Sequence, residues 1–228
     1  MGRGSSGITS GTVATSVVTQ AGKKINLAGT PLIYGGLDKS ISAAQRKILE
    51  AQEKKRLAAK REHALLVGQD GSVAGAEVHG GSGSCKIPIG WSYTKGAVLT
   101  HNHPRGGAGE DWVIGGTFSP GDIRHFSNGR YATMRASAAE GTYSITKGSN
   151  FNGAGFITYA KGVSAAATRK HNQTTNQLKQ DCASNKITYT DYRKGCNKAF
   201  NSMLIEIHNG LMSGQKKYGY SYTLERRK

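Results

Sequence analysis

His101 and His103 stand two residues apart behind the apolar run Ala97-Val98-Leu99-Thr100. On an extended strand, side chains at i and i+2 leave the same face, so the two imidazoles point together. Asp122 follows in Ser119-Pro120-Gly121-Asp122. That string is a helix start, with serine at the N-cap, proline at the first helical position and an acid in the first turn. Two imidazoles and a carboxylate suit a zinc ion whose fourth position stays open to water. Such a water ionises near neutral pH and becomes a nucleophile, and the same cation polarises a carbonyl. The chemistry still lacks a base that is not itself a ligand.

Positioning these residues requires a sheet and a helix. Ser40 to Arg61 contains neither Gly nor Pro and carries a narrow apolar stripe through Ile41, Ala44 and Ile48, which predicts a helix capped by Ser40. Glu62 to Val67 and Ser72 to His79 read as strands joined by an Asp70-Gly71 turn. Ala97 to Thr100 is a short buried strand leading into His101, and Arg130 to Ala136 and Thr142 to Lys147 are two more. Gly155 to Ser184 reads as a polar helix, or a helix pair broken near Asn172–Gln177. Asp191 to Gly214 carries Phe200, Met203, Leu204, Ile207 and Leu211 on one helical face, and Tyr218 to Leu224 is a terminal strand returning to the sheet. The expected organisation is a Gly/Ser/Thr-rich extension over 1–36, a basic helix over 37–61, a core over 62–150, and a basic helical region over 151–228. The fold class is α/β, with a mixed, largely antiparallel sheet flanked by helices.

His101-Asn102-His103-Pro104, a loop, and then Ser119-Pro120-Gly121-Asp122-Ile123 together resemble the His-x-His-Pro…Ser-x-x-Asp signature of the JAMM (MPN+/JAB) metalloproteases. The Thr-His-Asn-His-Pro form and Phe118 to Ile123 are most similar to the prokaryotic RadC-like branch, including versions attached to phage and mobile-element proteins. The resemblance covers about residues 60–147. It implies a cytidine-deaminase-like arrangement of sheet and helices, with zinc on His101, His103 and Asp122. It also implies a glutamate on an early strand as general acid/base. Glu62, 39 residues before His101, matches by position, and Glu77, 24 before it, is the second candidate. Ser119 would hydrogen-bond the developing oxyanion. The implied activity is hydrolysis of a peptide or isopeptide bond, often beside a ubiquitin-like C-terminus, with a protein or peptide strand lying along the groove edge. Residues 105–118 depart from the pattern, being longer than the family's usual link. Their five glycines around Asp111-Trp112-Val113-Ile114 suit either a substrate gate or a surface insertion.

The formal charge of +17 is uneven. Residues 62–150 hold seven basic and seven acidic side chains, whereas 151–228 hold thirteen against four. Basic flanks favour nucleic acid or another acidic partner, so a non-catalytic binding module of a phage or mobile element stands as the alternative to an enzyme. The balanced core offers no phosphate clamp, which disfavours a nuclease. No apolar run reaches the ~20 residues of a membrane span. The N-terminus lacks the apolar stretch of a secretory signal, and Cys85, Cys182 and Cys196 do not form a disulfide framework, so a cytoplasmic, reducing setting is expected. His63 alternates to the face opposite Glu62 and reads as structural, His125 as exposed, and His79, His171 and His208 lack ligand-spaced company. Cys85 has no His–Asp relay and is not expected to be a nucleophile. Arg135 and Tyr143 are expected to pair at the sheet surface.

Overall fold

The computed structural model describes residues 31–81, 84–85, 95–104 and 114–226, together with short strands at 12–14, 16–18 and 24–26. Thr12–Ala14 (β1) pairs with Leu32–Tyr34 (β4), and Ser16–Val18 (β2) pairs with Lys24–Asn26 (β3), both antiparallel. The expected extension thus contains short strands. Ala43–Arg56 (α1) starts two residues later than the sequence predicts. The Ser40 hydroxyl is taken by Asp38, whereas Ser42 and Gln45 form a reciprocal capping box.

His63–Val67 (β5) and Val73–His79 (β6) form the expected hairpin, its turn closed by the Asp70 carboxylate on Ser72 and by Gly71 at φ +85°. Val98–Asn102 (β7), Pro120–Asn128 (α2) and Thr133–Ala138 (β8) follow, and then Gly141–Lys147 (β9). Gly153–Ala183 (α3) is one continuous helix, without the expected break. Thr174 and Thr175 within that stretch return their hydroxyls to the carbonyls of Lys170 and His171, satisfying themselves locally along the helix. Tyr189–Ser213 (α4), the short Gln215–Tyr218 (α5) and Tyr220–Glu225 (β10) complete the chain.

Six strands form the main sheet in the order β10-β9-β8-β7-β5-β6. Only β7 and β8 run parallel; the other neighbours are antiparallel, so the sheet is mixed and mostly antiparallel, with helices packed on it. The terminal strand joins it as expected, beside β9. No described helix is long and apolar enough to cross a membrane.

The two faces of the sheet differ in chemistry. One buries Leu66, Leu99, Met134, Ala136, Tyr143, Ile145, Tyr222 and Leu224 in a core shared with Ile123 and Phe126 of α2, Phe156 of α3 and Ile205 of α4. The other carries α1, whose Leu49 packs with Ile41 on Leu65, Val67 and Val98, and it turns polar toward β8, β9 and β10. There Arg135, 1% exposed, donates to Glu53 and Glu225, and Asp38 collects the hydroxyls of Ser144 and Thr146. Arg135 and Tyr143 are therefore fully buried, on opposite faces, rather than paired at the surface. A buried guanidinium persists because two carboxylates meet it; alone, its desolvation would be prohibitive.

The buried face of α4 is also turned from the expected one: Ile205, His208 and Leu211 lie deepest, and Leu204 and Ile207 flank them. His208 is fully buried because its ring is matched on both sides. Nε2–H donates to the Ile33 carbonyl at 2.8 Å, and Nδ1 accepts from the Tyr222 hydroxyl at 2.8 Å. Burial drives its pKa down to about 4, which leaves the ring neutral.

Candidate metal centre

The β7–α2–β8 connection brings the C-terminal end of β7 against the N-terminus of α2. His101 belongs to β7, where it is matched with Ala64 on one side and Ala136 on the other. His103 follows two residues on, and its backbone N–H bonds the Ser137 carbonyl, extending the ladder with β8. Asp122 is the third residue of α2 and the acceptor of its capping box: Ser119 Oγ accepts the Asp122 N–H at 3.2 Å, and Asp122 Oδ2 accepts the Ser119 N–H at 2.7 Å.

These elements bring the three predicted ligands together. His101 Nε2 and His103 Nε2 are 3.1 Å apart, His101 Nε2 is 3.5 Å from Asp122 Oδ1, and His103 Nε2 is 3.8 Å from Asp122 Oδ2. A tetrahedral zinc ion with ligands at about 2.0–2.1 Å has ligand–ligand edges of about 3.4 Å, so the donor set fits one such cation. Orientation supports the fit. His103 Nδ1–H donates to the Gly116 carbonyl at 2.9 Å, which leaves Nε2 as the free donor facing the cluster. Burial disfavours a proton on His103, but Asp122 and the Gly116 carbonyl outweigh it and raise its pKa. Burial likewise opposes charge on Asp122, yet the two imidazoles hold its carboxyl well below the usual range.

Glu62 immediately precedes β5, and its backbone is bonded to Gly80 and Gly81 on the partner chain segment. Its carboxylate lies within electrostatic reach of His101, His103 and Asp122, and accepts from the Cys85 N–H. Burial, aided by the Asp122 charge, raises its pKa against the opposing pull of the imidazoles. Glu77 lies elsewhere. It is on the α1 face of the sheet, where Arg56 and His63 bond its Oε1 and hold its carboxyl down to about 2. Of the two candidate bases, Glu62 shares the cluster and Glu77 does not. Burial and the Glu62 carboxylate push the Cys85 thiol up to about 12, so it is a neutral neighbour and no nucleophile.

Three further residues hold the site and carry no local signal in the sequence. Asn102, between the two histidines, is 1% exposed; its Oδ1 accepts the His63 N–H at 2.7 Å and its Nδ2 donates to the Arg61 carbonyl at 3.1 Å. It thereby grips the peptide groups on both sides of Glu62. Glu140, 4% exposed, accepts the N–H groups of Gly115 and Gly116 at 2.9 and 3.0 Å and the Tyr143 hydroxyl at 2.6 Å. It fixes the backbone leading into the Gly116 carbonyl that orients His103. Gly116 itself has φ +76° and faces Leu204, a place for glycine alone. Of the expected flap over 105–118, residues 105–113 with Trp112 lie outside the described residues, whereas Ile114, Thr117 and Phe118 are buried, the first and last in the main core, and so are fixed to the body of the fold. No protein-family model, curated protein or solved structure matches this chain.

Proposed function

We propose that this protein is a zinc-dependent hydrolase of the JAMM type that cleaves an amide bond in a protein or peptide. The observation that carries the reading is the convergence of His101, His103 and Asp122 within one cation's reach, with the Glu62 carboxylate beside them. A zinc ion held by those three side chains would supply an activated water and polarise the scissile carbonyl. Glu62 would take the proton of a water so activated and return it to the leaving amine, a task suited to a partly buried carboxyl whose pKa burial raises. The Ser119 oxygen already accepts from Asp122, so its hydroxyl hydrogen is free to meet the developing oxyanion at the exposed rim. β6 ends the described sheet, and an extended substrate can add beside it. The test is cleavage by wild type and Glu62→Gln with equal zinc content. Loss of at least about a hundredfold in kcat in the variant supports the reading, and undiminished cleavage rejects it.

One observation favours an accompanying binding role. α3 and α4, packed on each other, expose Lys161, Arg169, Lys179, Arg193, Lys194 and Lys198. That surface suits an anionic partner such as nucleic acid, and would dock the hydrolase near its target.

A further inference from the structure

Outside the candidate centre, the described residues contain one other cluster of metal-ligating side chains: His63, Glu77 and His79, on the α1 face of the hairpin. His63 and His79 are directly opposed across β5 and β6, with ring centroids 4.5 Å apart. Glu77 is two residues before His79 on the same strand, so its side chain leaves the same face. Its Oε1 lies 2.8 Å from His63 Nδ1, and one donor atom from each of the three side chains falls within 4.8 Å of the others. Arg56, reaching over from α1, anchors that same Oε1. Among the described residues, Glu77 Oε2 and the nitrogens of His79 have no hydrogen-bond partner. His79 is exposed and the other two are partly so, which gives an ion a path from solvent.

We infer that His63, Glu77 and His79 form a second site for a late first-row divalent cation, with zinc, nickel or copper as its class. Two imidazoles and one carboxylate select these ions over magnesium and calcium, which prefer all-oxygen shells. The site is weaker than the first, because the Arg56 guanidinium opposes a cation there and solvent reaches the ligands. It touches the first site mechanically. His63 is the residue after Glu62, and its backbone N–H is held by Asn102, between the two candidate ligands of the other centre.

The experiment is a zinc titration of the full chain by equilibrium dialysis, with circular dichroism confirming the fold. Wild type takes up two ions in two affinity classes. His79→Ala, at an exposed position, keeps the tighter class and loses the weaker; His103→Ala does the reverse. Glu77→Gln, which retains shape but not charge, weakens the second class more than about tenfold. If wild type holds one ion and His79→Ala none, this site stands while the proposed hydrolase centre falls. Equal uptake by wild type and His79→Ala overturns it.

Discussion

Asn102 gives the tightest link between the metal ligands and the base. It stands between His101 and His103 and bonds the peptide groups on either side of Glu62. Asn102→Ala removes both bonds and strands the His63 N–H. The expected result is unchanged zinc affinity at the His101 centre with kcat reduced about 10- to 100-fold, read from metal titration beside single-turnover kinetics. Glu140→Gln acts on the other half. With one oxygen now an amide nitrogen, Gly115 and Gly116 cannot both be accepted, and the Gly116 carbonyl no longer fixes the His103 ring. Zinc affinity should fall about 10- to 100-fold, measured by chelator competition. His101, His103, Ser119 and Asp122 were readable in the sequence because their spacing is local: two on a strand end, two in one helix turn. Asn102 and Glu140 carry no such local signal. Their partners lie tens of residues away, and no local pattern records such contacts.

At the level of elements, strand alternation separated the two candidate bases. Glu62 and His63 are neighbours in sequence, yet they serve opposite faces of the sheet, and Glu77 follows His63 to the α1 side. The hairpin, the β7 strand and the Ser119 helix start were legible from turn residues, apolar runs and capping chemistry. The length of α1 was not, because Ser40 looks like a cap until Asp38 claims its hydroxyl. Nor was the rotation of α4. His208 has no ligand-spaced company in the sequence to mark it, and only Ile33 and Tyr222, from distant strands, make its burial tolerable. The packing of α4 on the Gly116 peptide makes a further prediction. Gly116→Ala places a Cβ 2.9 Å from Leu204 Cδ2 at φ +76°, and should cost about 1–3 kcal/mol in urea denaturation.

For the molecule as a whole, His208 ties α4, β10 and β4 into one acid-sensitive joint. Its folded pKa of about 4 lies below the unfolded value of about 6.5. The unfolded chain therefore binds a proton that the folded one refuses, and stability that is complete above pH ~6.5 is lost as pH falls toward 4. The full shift corresponds to about 3 kcal/mol. Urea denaturation of metal-free protein at pH 7 and pH 4.5 should show most of that loss in wild type and lack it in His208→Gln. The basic α3–α4 hairpin predicts a second whole-molecule behaviour: affinity for nucleic acid that falls steeply with salt. Affinity independent of salt would remove that role. The surplus of charge in the flanks was visible in composition alone, whereas its display along one helical hairpin depended on α3 running unbroken through a polar stretch. The central claim, zinc at the meeting of β7 and α2, is tested most directly by anomalous diffraction at the zinc edge from crystals of zinc-replete protein. A peak is expected about 2.0–2.1 Å from His101 Nε2, His103 Nε2 and an Asp122 carboxylate oxygen. A map with no anomalous density among those three side chains would contradict it.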